Sequence, residues 1–116
     1  MSRRLSAATG GFAATAPVFA ALGDETRLRL VARLCKEGPL PIARLSAGGP
    51  VTRQAVTKHL HALAAAGLVR SRGPERRRGR AWELQPRRLD EARRCLASIS
   101  QQWGDVLERL RAFVEE

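Results

Sequence analysis

A chain of 116 residues permits one compact domain and leaves no room for a second. Hydrophobic residues make up 44%, enough for a core of mostly leucine, alanine and valine, and no run of about 18 apolar residues exists to span a membrane. The formal charge is +10, which directs a search for function towards polyanions.

The charge needs a sharper test than its total. Of the 21 basic residues only Lys36 and Lys58 are lysine, so a GC-rich genome is the compositional alternative explanation for part of the arginine excess. Position is more telling, because ten of the 21 lie between Arg70 and Arg94. The densest part, Glu75 to Arg80, has no apolar face, which argues against a membrane-surface helix.

Residues 1–13 are small, polar and glycine-bearing, and are predicted to be a disordered tail before a single domain over 14–116. Arg3 and Arg4 precede alanine, glycine and threonine rather than an apolar signal region, so a cytoplasmic protein is expected. The first helix is predicted from about Thr15 to Leu22, with Val18, Phe19 and Leu22 apolar, and Gly23 breaks it. Asp24 is a good N-cap for a second helix to about Lys36, whose buried stripe is read as Leu28, Val31 and Leu34/Cys35. Gly38-Pro39 ends it. Pro41 suits the first turn of a short third helix with Ile42 and Leu45 facing inwards, and Ala47-Gly48-Gly49-Pro50 is a turn.

The stretch from Thr52 to Arg70 carries the strongest signal. Thr52 can cap a helix in which Val56, Leu60 and Leu63 recur at helical spacing and face a core. Arg53, Gln54, Thr57, Lys58 and His61 fall mostly on the other face, and Gly67 stops the helix where a left-handed residue is wanted. Hydrogen-bonding side chains with cations among them suit the major groove of DNA, where base edges and phosphates lie together. An ordinary amphipathic surface helix would look similar in isolation; the neighbouring elements decide the matter.

Two extended runs follow, Leu68–Arg72 and Ala81–Leu84, joined by a glycine-bearing loop that carries Arg76, Arg77, Arg78 and Arg80. Trp82 is placed to pack one face of this hairpin on the helices. The last helix is predicted from about Arg88 to Val114. Leu89, Ala92, Leu96, Ile99, Trp103, Val106, Leu110 and Phe113 recur in alternating steps of three and four, a heptad seam. Helix, turn, recognition helix and basic hairpin together predict a mainly α winged helix-turn-helix in the order α-α-α-α-β-β-α. Its wing arginines would reach phosphates or the minor groove, and its seam would supply a dimer surface.

The segment Phe19-Ala-Ala-Leu-Gly-Asp-Glu-Thr-Arg-Leu-Arg-Leu30 resembles the opening helix and Asp-x-Thr-Arg-Leu signature of the ArsR/SmtB family of winged-helix repressors. Val56-Thr-Lys-His-Leu-His-Ala-Leu63 with Ala66-Gly-Leu-Val69 is similar to its recognition helix and following strand. The resemblance covers about Val18 to Leu84. It implies a homodimer built from the first and last helices, here Val18, Phe19 and Leu22 with Leu96, Ile99, Trp103, Val106, Leu110 and Phe113. It also implies binding to an operator near the protein's own promoter, usually as a repressor. Thr57 takes the position of a usual DNA contact in that family, and His59 matches a common structural histidine.

The chain departs from the family's metal sensors. Their thiolate site is a Cys-x-Cys after a leucine on the third helix, and Leu40-Pro41-Ile42-Ala43-Arg44 puts Pro41 and Ala43 in those places. No histidine follows His61 to build the site on the last helix, and His59 and His61, two apart on a helix, cannot chelate together. No metal and no cofactor are expected. Cys35 and Cys95 stand on the two helices that carry redox cysteines in some members, at positions without a match to that pattern. The plainer reading puts Cys35 in a small buried slot and Cys95 beside the seam. An enzyme is not expected, since Ser46, Ser98 and Cys95 have no activating partner placed by sequence and Gly48-Gly49 lacks the form of a phosphate loop. The expectation is a homodimeric repressor that binds an inverted repeat in double-stranded DNA without metal, with any small-molecule effector unspecified. The alternatives are a redox-responsive repressor using Cys35 and Cys95, and a sequence-neutral architectural DNA-binding protein.

Overall fold

Five helices and three short strands follow one another along the described part of the chain. The computed structural model describes residues 3–73 and 80–115, with side chains from residue 11 onwards. The elements are α1 (Arg3–Leu22), α2 (Glu25–Glu37), β1 (Leu40–Pro41), α3 (Ile42–Ser46), α4 (Arg53–Ala65), β2 (Val69–Arg72), β3 (Ala81–Leu84) and α5 (Pro86–Glu115). The order is that of a winged helix-turn-helix with one strand more than the sequence predicts.

Helix α1 differs most from expectation. It begins at Arg3, so residues 3–13, read as a disordered tail, are helical. Three alanines in that stretch, Ala7, Ala8 and Ala13, have the highest helix propensity and oppose the cost of Gly10 and Gly11. Pro17 lies inside the helix and cannot donate to the Ala13 carbonyl, which remains on an exposed residue within reach of water.

The joint between α1 and α2 is held by two side chains. Asp24 caps α2 by accepting from the Arg27 backbone N–H at 2.9 Å, and Arg27 Nε donates to the Ala21 carbonyl at the end of α1 at 2.7 Å. The buried face of α2 is Leu30, Val31 and Leu34. Leu28 and Cys35, assigned by sequence to that stripe, are exposed instead. Leu30 and Leu34 are four apart, so the inward face is rotated from the one expected and carries Cys35 out of the core.

Leu40-Pro41 pairs with β3, making a three-stranded antiparallel sheet in the order β1-β3-β2. Pro41 lies on an edge strand, where its missing N–H costs no ladder bond. The hairpin pairs Val69 with Leu84, Arg70 with Glu83, Ser71 with Trp82 and Arg72 with Ala81. The core lies between α1, α2, α4 and the sheet, around Val18, Leu34, Leu60, Leu63 and Leu68.

The end of α4 follows from its sequence. Gly67 takes φ +78°, the left-handed region expected for it. Its N–H donates to the Ala64 carbonyl at 2.9 Å and that of Leu68 to the Leu63 carbonyl at 3.0 Å. These are the two bonds of a Schellman cap, and they turn Leu68 into the core at the start of the wing.

Candidate nucleic-acid interface

Helix α4 is anchored at its start and along one side. The Ala55 N–H donates to Thr52 Oγ1 at 3.1 Å, while Val56, Leu60 and Leu63 are buried. Arg53, Gln54, Lys58 and His61 are left exposed on the outward side. Thr57 is half-buried, and its hydroxyl donates to the Arg53 carbonyl at 2.9 Å, which leaves its oxygen free to accept from outside the helix. His59 turns away from this face, with Nδ1 3.9 Å from Asp24 Oδ2. The cap bond from Arg27, with the nearby His59 and Arg27 charges, holds the Asp24 carboxyl below the usual aspartate range.

His61 does not project freely. Its ring lies 5.9 Å from that of Trp82, tilted by 49°. The last exposed turn of the recognition helix is thereby joined to the central strand of the sheet. Sequence reasoning gave Trp82 a packing role and missed this pairing, which needed the strand register to be seen.

The structure divides the basic cluster. Arg70 donates to Glu83 at 2.6 Å and Arg72 lies 3.5 Å from the same carboxylate. The Arg70 hydrogen bond chiefly, with both arginine charges, keeps Glu83 ionised below its ordinary range. On α5, Asp90 accepts from Arg93 and Arg94, whose hydrogen bonds lower its pKa, and Glu91 faces Arg87 and Arg88. Clustering in sequence therefore overstates the charge offered to a ligand. Among the described residues no carboxylate pairs with Arg53 or Lys58, and these two place positive charge on the α4 face. Arg80 donates to Ser71 Oγ, and its Nε is buried without a partner. It lies folded against the hairpin rather than extended from it. Arg76, Arg77 and Arg78 fall outside the described residues.

The proposed seam splits into two parts. Ala92 is buried and Leu89 packs against the core, so these positions serve the domain itself. From Leu96 onwards the seam is uncovered: Leu96, Ile99, Trp103, Leu110 and Phe113 are exposed and Val106 is half-buried. Leu107 and Val114, which the strict three-four pattern passed over, extend the apolar surface. They sit seven residues apart beside the seam, a period that a wider stripe would have caught. On α1, Val18 is only 1% exposed and belongs to the core. Its assignment to a dimer surface is corrected, because nothing of it remains for a partner to touch. Phe19 and Leu22 are half-buried against the same core, and Phe12 is the exposed aromatic on this helix.

Among the described residues, no group of three or more His, Cys, Asp or Glu side chains converges as metal ligands would. No described helix is long and apolar enough to cross a membrane.

A helix-turn-helix whose second helix presents a polar, cationic face beside a hairpin defines a winged helix-turn-helix DNA-binding domain. A family profile described as a helix-turn-helix domain matches residues 22–72. An ArsR-like transcriptional regulator from Rhodococcus sp. RHA1 is 35% identical, with 90% of this chain and 95% of that one covered and a TM-score of 0.72. A possible transcriptional regulator for arsenical resistance is also 35% identical, covering 80% and 91% at a TM-score of 0.60. A homodimeric winged helix-turn-helix DNA-binding domain from Mycobacterium bovis shares the fold at 23% identity, covering 90% and 88% at a TM-score of 0.56. No curated protein matches this chain. The chain belongs to the ArsR family, and is a DNA-binding transcriptional regulator. Family and fold are those of regulators rather than enzymes.

Proposed function

We propose that this regulator is a cytoplasmic homodimeric repressor that binds an inverted-repeat operator without metal. The observation that carries the reading is the outward face of α4, where Arg53, Gln54 and Lys58 are exposed beside Thr57 and His61 while arginines on the wing root and α5 are paired with carboxylates. Arg53 and Lys58 anchor phosphates, Gln54 and Thr57 meet base edges, and His61 borders the wing. Arg76, Arg77 and Arg78 bind phosphate or the minor groove, with Arg80 at their base. The uncovered apolar run from Leu96 to Val114 supports a two-fold dimer, the assembly named for the Mycobacterium bovis relative. Metal independence rests on Pro41 and Ala43 at the family's cysteine positions.

The test is selection of bound sites from a random DNA pool, with and without chelator. The expected result is an inverted repeat with half-sites about one helical turn apart, unchanged by the chelator. Strongly salt-dependent binding to every sequence would instead make the protein architectural. Loss of the motif with chelator would overturn metal independence.

A further inference from the structure

The geometry points to a binding site for an organic acid with an elongated apolar body, in the cleft between α1 and α5. The cleft has a volume of about 490 Å³, within the range of small-molecule sites. Phe12 and Ala14 line one wall; Arg88, Glu91, Cys95 and Ser98 line the other. The α5 wall runs from Arg88 to Gln102, about 21 Å of helix. The residues of this wall recur in steps of three and four, but one position away from the apolar seam. None of Leu96, Ile99 or Trp103 lines the cleft. Its α5 wall is thus a different face of the helix from the seam, and it carries charge where the seam carries none.

The charge selects the ligand. Arg88 and Arg94 bring two guanidiniums to the lining against the single carboxylate of Glu91. Arg94 is already engaged twice by Asp90. Arg88 meets Glu91 through one contact, at 3.0 Å, and Glu91 is shared with Arg87. A ligand carboxylate can take the open edge of the Arg88 fork, with its apolar body along Phe12, Ala14 and Cys95.

Arg88 also connects the cleft to the DNA-reading element. Its aliphatic stem lies on the Gly67 turn, so closely that a Cβ built on Gly67 would meet Arg88 Cγ at 3.0 Å. A ligand carboxylate that replaces Glu91 at the guanidinium moves this stem against the turn that ends α4. Bound acid therefore weakens DNA binding. This regulatory half rests on the DNA-binding reading above; the binding half does not.

Calorimetric titration of the full chain with octanoate and with neutral octanamide tests the site, and anisotropy of a labelled operator tests the coupling. Saturable binding of one octanoate per protomer is expected, with octanamide much weaker. Arg88→Gln should remove the preference for the acid. Ser98→Trp should block the cleft while leaving DNA binding intact. Saturating octanoate should weaken operator binding by about tenfold, an ordinary size for coupling between sites. Equal binding of acid and amide, or undiminished binding by Ser98→Trp, would overturn the site. Octanoate binding that appears only in a Trp103→Arg monomer would assign the cleft to the second copy and also overturn it. Octanoate binding with unchanged operator affinity would overturn the regulatory half. Failure of the free protein to bind DNA would strike the proposed function and leave the titration to judge the site.

Discussion

Replacing Gly67 with alanine perturbs the joint between the recognition helix and the wing at a single atom. The backbone there has φ +78°, which costs an L-residue about 1–2 kcal/mol. The new Cβ would lie 3.0 Å from Arg88 Cγ and 3.4 Å from its Nε, so the arginine must give way. Arg88 is a flexible side chain, and this second cost is the smaller. The sum is at least about 1–2 kcal/mol, or a fall in Tm of about 4 °C or more for a domain of this size. Thermal and urea unfolding by circular dichroism would measure it, with all variants at one protein concentration. Gly67→Asn is the discriminating companion. It adds the same Cβ but tolerates the left-handed region, so it should lose less than Gly67→Ala. Gly104→Ala should move the other way. Gly104 is helical, nothing lies within 4 Å of its added Cβ, and removing a mid-helix glycine stabilises by about 0.5–1 kcal/mol. If Gly67→Ala proves as stable as the parent, the Schellman turn is not the constraint described here.

Other substitutions probe the reading of DNA and the assembly. Gln54→Ala should relax base preference at one operator position, by about 1–3 kcal/mol if its contact is bidentate, as read by competition among single-base variants of the operator. A uniform loss across all variants would make Gln54 a phosphate contact. Trp103→Arg places a charge in the middle of the uncovered seam and should yield folded monomers with weak DNA binding, checked by sedimentation; an intact dimer would remove the seam from the interface. Acid should destabilise the domain. Asp24, Glu83 and Asp90 are held below their ordinary values by hydrogen bonds from arginines or the arginine backbone. Their folded pKa values lie below the unfolded ones, so their contribution is present above the ordinary carboxylate range and is lost as pH falls through it. The urea midpoint should fall on acidification, and less steeply in Asp24→Asn; a midpoint that rises would contradict the ion-pair assignments.

The recognition helix was legible because local rules agreed there. Thr52, the Val56-Leu60-Leu63 stripe and Gly67 each specify the same helix with the same ends. The same held for the hairpin strands and for the long last helix. What escaped depended on partners distant in sequence. Leu40-Pro41 looks like a helix entry until β3 is present to pair with it. Val18 looks like a surface apolar residue until α1 is laid on the core. The inward face of α2 was misjudged because Leu28, Val31 and Cys35 have helical spacing too, and only tertiary packing chooses between neighbouring stripes. The arginines between Arg70 and Arg94 read as one patch in sequence. Their carboxylate partners are nearby in the chain, but the choice of which arginine is neutralised is made by strand register and helix phase.

The central strand of the small sheet has a consequence for how DNA is read. Trp82 is flanked on one side by Leu40, just before α3, and on the other by Ser71, while its ring meets His61 on α4. The root of the wing, the short helix before the turn and the end of the recognition helix thus meet at one residue, as the arms of a caliper meet at its pivot. A caliper with a fixed gap cannot adjust to grooves of different width. The cost of a poor fit falls on the duplex, which must narrow or widen between the two points of contact. Base steps that no side chain touches then enter the binding energy through their stiffness. Operators of this protein should share a groove shape as well as a set of letters.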